Sequence, residues 1–92
     1  MADVILTVKI MPESPESDLE QIETKAIESI KNSVGDTQTK TEKEPIAFGL
    51  SALKIIFAMN EDKGSPESLT EEIQNLEGVQ SCEIVDARRA MG

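Results

Sequence analysis

The chain reads as a two-layer α+β sandwich with the element order β-α-β-β-α-β. Three observations carry that reading. Residues 4–11 (VILTVKIM) and 50–59 (LSALKIIFAM) are strongly apolar runs bounded by turn residues. Two charged stretches carry apolar residues at helical spacing, and each opens on the same letters, Ser-Pro-Glu-Ser, at 14–17 and 65–68. A polar segment, 37–44, and a mixed one, 79–86, provide the remaining two strands.

Residues 4–11 are β-branched and almost wholly apolar, as expected of a strand buried on both sides or nearly so, and Pro12 ends it. Ser14 is expected to cap the first helix, with Pro15 in its first turn and Glu16 complementing the helix dipole. Leu19, Ile22, Ala26, Ile27 and Ile30 form its apolar stripe, and Gly35-Asp36 breaks the pattern. Residues 37–44 alternate threonine with charge, which suits an edge strand whose lysines discourage pairing with another molecule. After a turn at 44–50 comes the second apolar strand, then a loop at 60–64. Ser65 begins the second helix, Leu69, Ile73 and Leu76 line it, and Gly78 is its expected stop. Residues 79–86 close as a strand, and 87–92 read as a tail.

This order predicts one domain over residues 1–92, a ferredoxin-like split βαβ sandwich. It has an antiparallel four-stranded sheet with two helices on one face. The first and third strands, being the most apolar, are expected at the centre and the other two at the edges.

Composition excludes several functions. The 92 residues carry a net charge of −9, which repels phosphate backbones and argues against direct nucleic-acid binding. There is no histidine, the usual general base and metal ligand. The single cysteine, Cys82, excludes an internal disulfide or a thiolate metal cluster and reads as a buried or half-buried strand residue in a reducing, cytoplasmic compartment. No apolar run approaches the ~20 residues needed to span a bilayer, and no export signal is visible.

Motifs of related sandwiches fail in turn. Base stacking needs several aromatics on the central strands, which offer only Phe57. The loop at 11–17 lacks the paired cysteines of a metal carrier and the arginine and glycine of a phosphate loop, and no Walker-type loop occurs. The carboxylates Glu13, Glu16, Asp18, Glu20, Glu61, Asp62, Glu71 and Glu72 read as a solvated face, and Ser14, Ser65 and Ser68 as caps without an activating base. No catalytic constellation is visible, and no cofactor is implied.

Two features remain. Phe48, one of only two aromatic residues, sits on a turn stiffened by Pro45 and freed by Gly49. Such a ring either caps the core or projects as an anchor for a partner. The two arginines, Arg88 and Arg89, are adjacent at the C-terminal end of an acidic chain. They either balance local carboxylates or present a cation on a short arm to an anionic site.

With these features in view, the segments VILTVKIMPESPESDLE (4–20), EPIAFGLSALKI (44–55) and LEGVQSCEIVDARR (76–89) resemble the archaeal translation elongation factor 1-beta family. Its members are nucleotide exchange factors of the translational GTPase elongation factor 1-alpha, and the resemblance covers essentially the whole chain. It implies a protein without a chemical reaction of its own, which docks on the GTPase and loosens its nucleotide. By position it makes Phe48 the turn aromatic that packs on the partner. It places at Arg89, beside Arg88, the basic residue that reaches toward the magnesium and phosphate site. Eukaryotic members typically carry lysine there and end soon after; this chain has arginine and continues through Ala90-Met91-Gly92. The expected partner-binding residues are thus Pro45, Phe48, Gly49, Arg88 and Arg89, on a protein monomeric when free. The alternative class is a small regulatory or ligand-binding sandwich acting as an oligomer.

Overall fold

A computed structural model describes residues 3–14, 16–35, 37–46, 49–60 and 66–89. Its elements are β1 (Asp3–Pro12), α1 (Leu19–Val34), β2 (Thr39–Pro45), β3 (Ser51–Asn60), α2 (Pro66–Gln74) and β4 (Val79–Arg89). The sheet order is β2-β3-β1-β4, with every neighbouring pair antiparallel. The two apolar strands therefore lie at the centre, and the ferredoxin-like sandwich is the observed fold.

Strand alternation sends Leu6, Val8 and Ile10 of β1 and Leu53, Ile55, Phe57 and Met59 of β3 to one side of the sheet. There they meet Ile22, Ala26 and Ile30 of α1 and Leu69 and Ile73 of α2 in one core. Both helices cover the same face, so β1 is buried on one side only. Ile5, on the other side, remains 38% exposed, and Thr7, Lys9 and Met11 are half-buried. The expectation of a doubly buried strand is corrected accordingly: two helices cannot cover both faces of a four-stranded sheet.

The first helix starts later than Ser14. Asp18 is its cap, accepting the Gln21 backbone N–H at 3.2 Å, and Ser14 and Ser17 instead close a tight turn on each other. A carboxylate next to the first apolar stripe residue offers the helix end a charged acceptor, which a serine four residues upstream cannot match. Pro15 and Ser65 lie outside the described residues. Gly35 ends α1, with its N–H donating to the Lys31 carbonyl at 2.9 Å. Helix α2 ends at Gln74, ahead of Gly78. Gly78 instead takes a left-handed φ of 89° in the turn into β4, where its carbonyl accepts the Glu13 N–H at 2.9 Å.

The C-terminal stretch is not an arm, as far as it is described. Strand β4 continues through Arg89, pairing Arg88 with Ile5 and Arg89 with Val4, because the start of β1 has backbone groups to satisfy. The register shifts between Thr7 and Val8, where Val85 is the extra residue of a β-bulge and lies 45% exposed. Cys82 is buried in β4, and burial, with a smaller contribution from Glu83, pushes its thiol up to about 11.

Two expectations follow. Phe57→Ala removes a ring from the centre of the core and lowers stability by about 3–5 kcal/mol in urea denaturation. The Cys82 thiol stays protonated and shielded at pH 8, so reaction with a disulfide reagent follows unfolding, and denaturant accelerates it sharply. Rapid reaction of the folded protein contradicts this placement.

Candidate functional site

The turn between β2 and β3 is built on a short backbone bridge. Pro45 is the last residue of β2, exposed and opposite Ser51, and Ile46 N–H donates to the Leu50 carbonyl at 2.7 Å. Gly49 holds a left-handed φ of 76°, with open space where a Cβ would stand. Glycine is thus required there for its backbone angle and not for a close approach. Ala47 and Phe48 lie outside the described residues.

Beneath the turn, Lys54 Nζ lies 3.0 Å from Glu44 Oε2, an oxygen shielded from water although much of the side chain is exposed. The hydrogen bond from Lys54 and its charge hold the Glu44 carboxyl below the usual range, with a smaller pull from Lys9. The register sets the neighbours: Glu42, Lys54, Lys9 and Glu83 form one row across all four strands, and Glu44, opposite Ala52, reaches Lys54 diagonally from the next row.

The arginines occupy the other end of the sheet. Arg88 sits opposite Ile5, which sits opposite Ala58; its side chain is 79% exposed and its Nε lies 3.0 Å from Asp86 Oδ2. Arg89 sits opposite Val4. From Ser51, beside the turn, to Ala58, level with Arg88, the chain climbs seven residues of β3, about 23 Å. The candidate residues therefore fall into two groups: Pro45 and Gly49 at one end, Arg88 and Arg89 at the other. They are not brought to one pocket. Among the described residues no three His, Cys, Asp or Glu side chains are placed to hold a metal ion, and no helix is long and apolar enough to cross a membrane.

Sequence reasoning missed one surface. Ile5, Ile56 and Ala58 lie on the sheet face without helices and floor a groove of about 510 Å³. The signal lies in the unbroken apolar runs at 4–11 and 50–59, the first of which reads in sequence as a strand buried on both sides.

Residues 5–90 match the family model described as the EF-1 guanine nucleotide exchange domain. The chain is 41% identical over 91 residues to elongation factor 1-beta of Methanothermobacter thermautotrophicus, covering 99% of this chain and 100% of that one. It is 45% identical over 91 residues to the protein of the same name from Methanobrevibacter smithii, with the same coverage. The Metallosphaera sedula protein is 36% identical over 90 residues, covering 97% of each. Among solved structures, the de novo designed protein Foldit4 superposes with a TM-score of 0.64 over 98% of both chains at 15% identity, a likeness of fold alone.

The ion pair under the turn gives a test with a defined sign. The Glu44 value is depressed in the fold, so its contribution to stability is present above the ordinary glutamate value of about 4.3. It is lost as pH falls through the lower folded value. Lys54→Met should raise the Glu44 carboxyl titration toward the ordinary value, as read by NMR, and remove that part of the acid dependence of stability.

Proposed function

The chain belongs to the EF-1 guanine nucleotide exchange domain family, and on that footing we propose that it promotes GDP release from elongation factor 1-alpha and reloading with GTP. The observation that carries this reading is the match over residues 5–90, nearly the whole chain. The exchange factor is read as one domain over residues 1–92, acting as a monomer in the cytoplasm without a chemical reaction of its own.

A GTPase holds its nucleotide largely through phosphate and Mg²⁺ contacts. A protein that binds the nucleotide-free state better than the loaded one loosens the nucleotide by that same ratio. A thousandfold effect corresponds to about 4 kcal/mol of coupling. Phe48, between Pro45 and Gly49 in sequence, provides the anchor. Arg89, with Arg88 beside it, disturbs the Mg²⁺ and phosphate region of the partner. The placement of both arginines in a paired strand favours this division of labour, because a cation on a fixed backbone loses less freedom on binding than one on a loose arm. The separation of the two ends also suits a partner that is gripped at one place and perturbed at another.

Release of a fluorescent GDP analogue from elongation factor 1-alpha tests the reading. The protein should accelerate release saturably, and excess GDP should reverse the complex. Phe48→Ala should raise the half-saturating concentration about tenfold or more. Arg89→Ala should lower the maximal rate with little change in half-saturation. Substitution is the sound form of this test, since removing residues 88–92 also strips the β4 partners of Val4 and Ile5. No acceleration by the folded wild-type protein refutes the exchange reading.

A further inference from the structure

We propose that the helix-free face of the sheet, at its arginine end, is an additional docking surface for the GTPase, receiving an apolar side chain of that partner framed by carboxylates. The proposal rests on the exchange reading above and adds a surface to it.

The floor is apolar. Ile5 and Ala58 are directly opposed, and Ile56 lies one row away, opposite Thr7 and Lys40. With Thr37, Gln38 and Lys40 as its wall, this floor forms the groove of about 510 Å³. The wall is fastened by the Thr37 hydroxyl, which donates to the Ala58 carbonyl at 2.9 Å. Ile5 is also one of the two most exposed large apolar residues described, the other being Val85 on the bulge of the adjoining strand.

The rim is cationic. Lys40 stands on one side and Arg88 on the other, with side chains 73% and 79% exposed. Among the described residues each is paired with a neighbour on its own strand, Glu42 at 3.6 Å and Asp86 at 3.0 Å. Such exposed pairs are weak and exchange readily for a partner's carboxylate. Charge is also segregated through the molecule. Residues 13–35 and 66–78, which hold the helices, carry ten carboxylates against two lysines, whereas the strands carry six basic and five acidic residues. An acid-framed partner is repelled by the helical layer and meets balanced charge with two exposed cations on the sheet. Continuity identifies the occupant: Arg88 belongs both to this rim and to the end directed at the nucleotide, so the protein that meets the one meets the other.

The test titrates the full chain into the same GDP-release assay. Ile56→Glu should raise the half-saturating concentration about tenfold while leaving the maximal rate unchanged. Ile56→Thr, which keeps the β-branched shape of a strand residue, should shift it in the same direction with an unaltered melting profile. Lys40→Glu should also raise it, and added salt should erase the difference from wild type. Glu71→Gln on the helical layer should match wild type. If wild type accelerates release and all three face variants behave like it, the face is not a docking surface and the exchange reading stands alone. If wild type fails to accelerate release, both fall. If wild type sediments as a dimer at assay concentration and Ile56→Glu as a monomer, the occupant is a second copy and the proposal is overturned.

Discussion

Two helices can bury only one face of a four-stranded sheet, and most of this molecule follows from that limit. The buried face takes its side chains from alternate positions of β1 and β3 and from the stripes of α1 and α2. The other face must then be presentable to water although its two central strands, β1 and β3, are apolar nearly throughout. It meets this with a charged row, Glu42-Lys54-Lys9-Glu83, toward the turn end and leaves isoleucine and alanine toward the arginine end. An exposed apolar surface rimmed by charge is the usual mark of a protein contact.

The same limit explains what could be read from the letters. Element order, strand order and the core were legible because apolar periodicity survives without tertiary knowledge. The role of Asp18 was hidden behind Ser14, since both are good caps and only the path of the chain before Leu19 decides between them. The open face was hidden more deeply. Ile5 and Ile56 look like core residues in sequence, and only the placement of both helices on one side removes their cover. The letters named two candidate regions, around Pro45 to Gly49 and at Arg88-Arg89, and that these lie at opposite ends of one sheet required the register.

That distribution also gives physical content to the exchange mechanism proposed above. On the proposed reading, a small domain that touches its partner at separated points would resist rotation about any one of them, so a cation at one end would be held against an unfavourable site by binding at the other. This is binding energy from remote contacts spent on local distortion. It needs a stiff connection between the points, and two adjacent antiparallel strands, β3 and β1, run between them.

The bulge at Val85 has a consequence of its own. Counting by twos from buried Cys82 would put Arg88 on the helix side, and a regular ladder would slide it down to Val4. The extra residue absorbs one step, so that Arg88 arrives beside Ile5. Because Val85 has no partner across the ladder, a single-codon deletion at that position would straighten the strand and leave every later pairing in place. Loss of Asp86 or Ala87 can also be absorbed by closing the bulge with Arg88 still opposite Ile5, but it moves Val85 into the station of Asp86, and loss of Ala87 further turns Asp86 toward the helix side opposite Leu6. The cost of a shorter chain here therefore lies in which side chains change face, not in the stations of the two arginines.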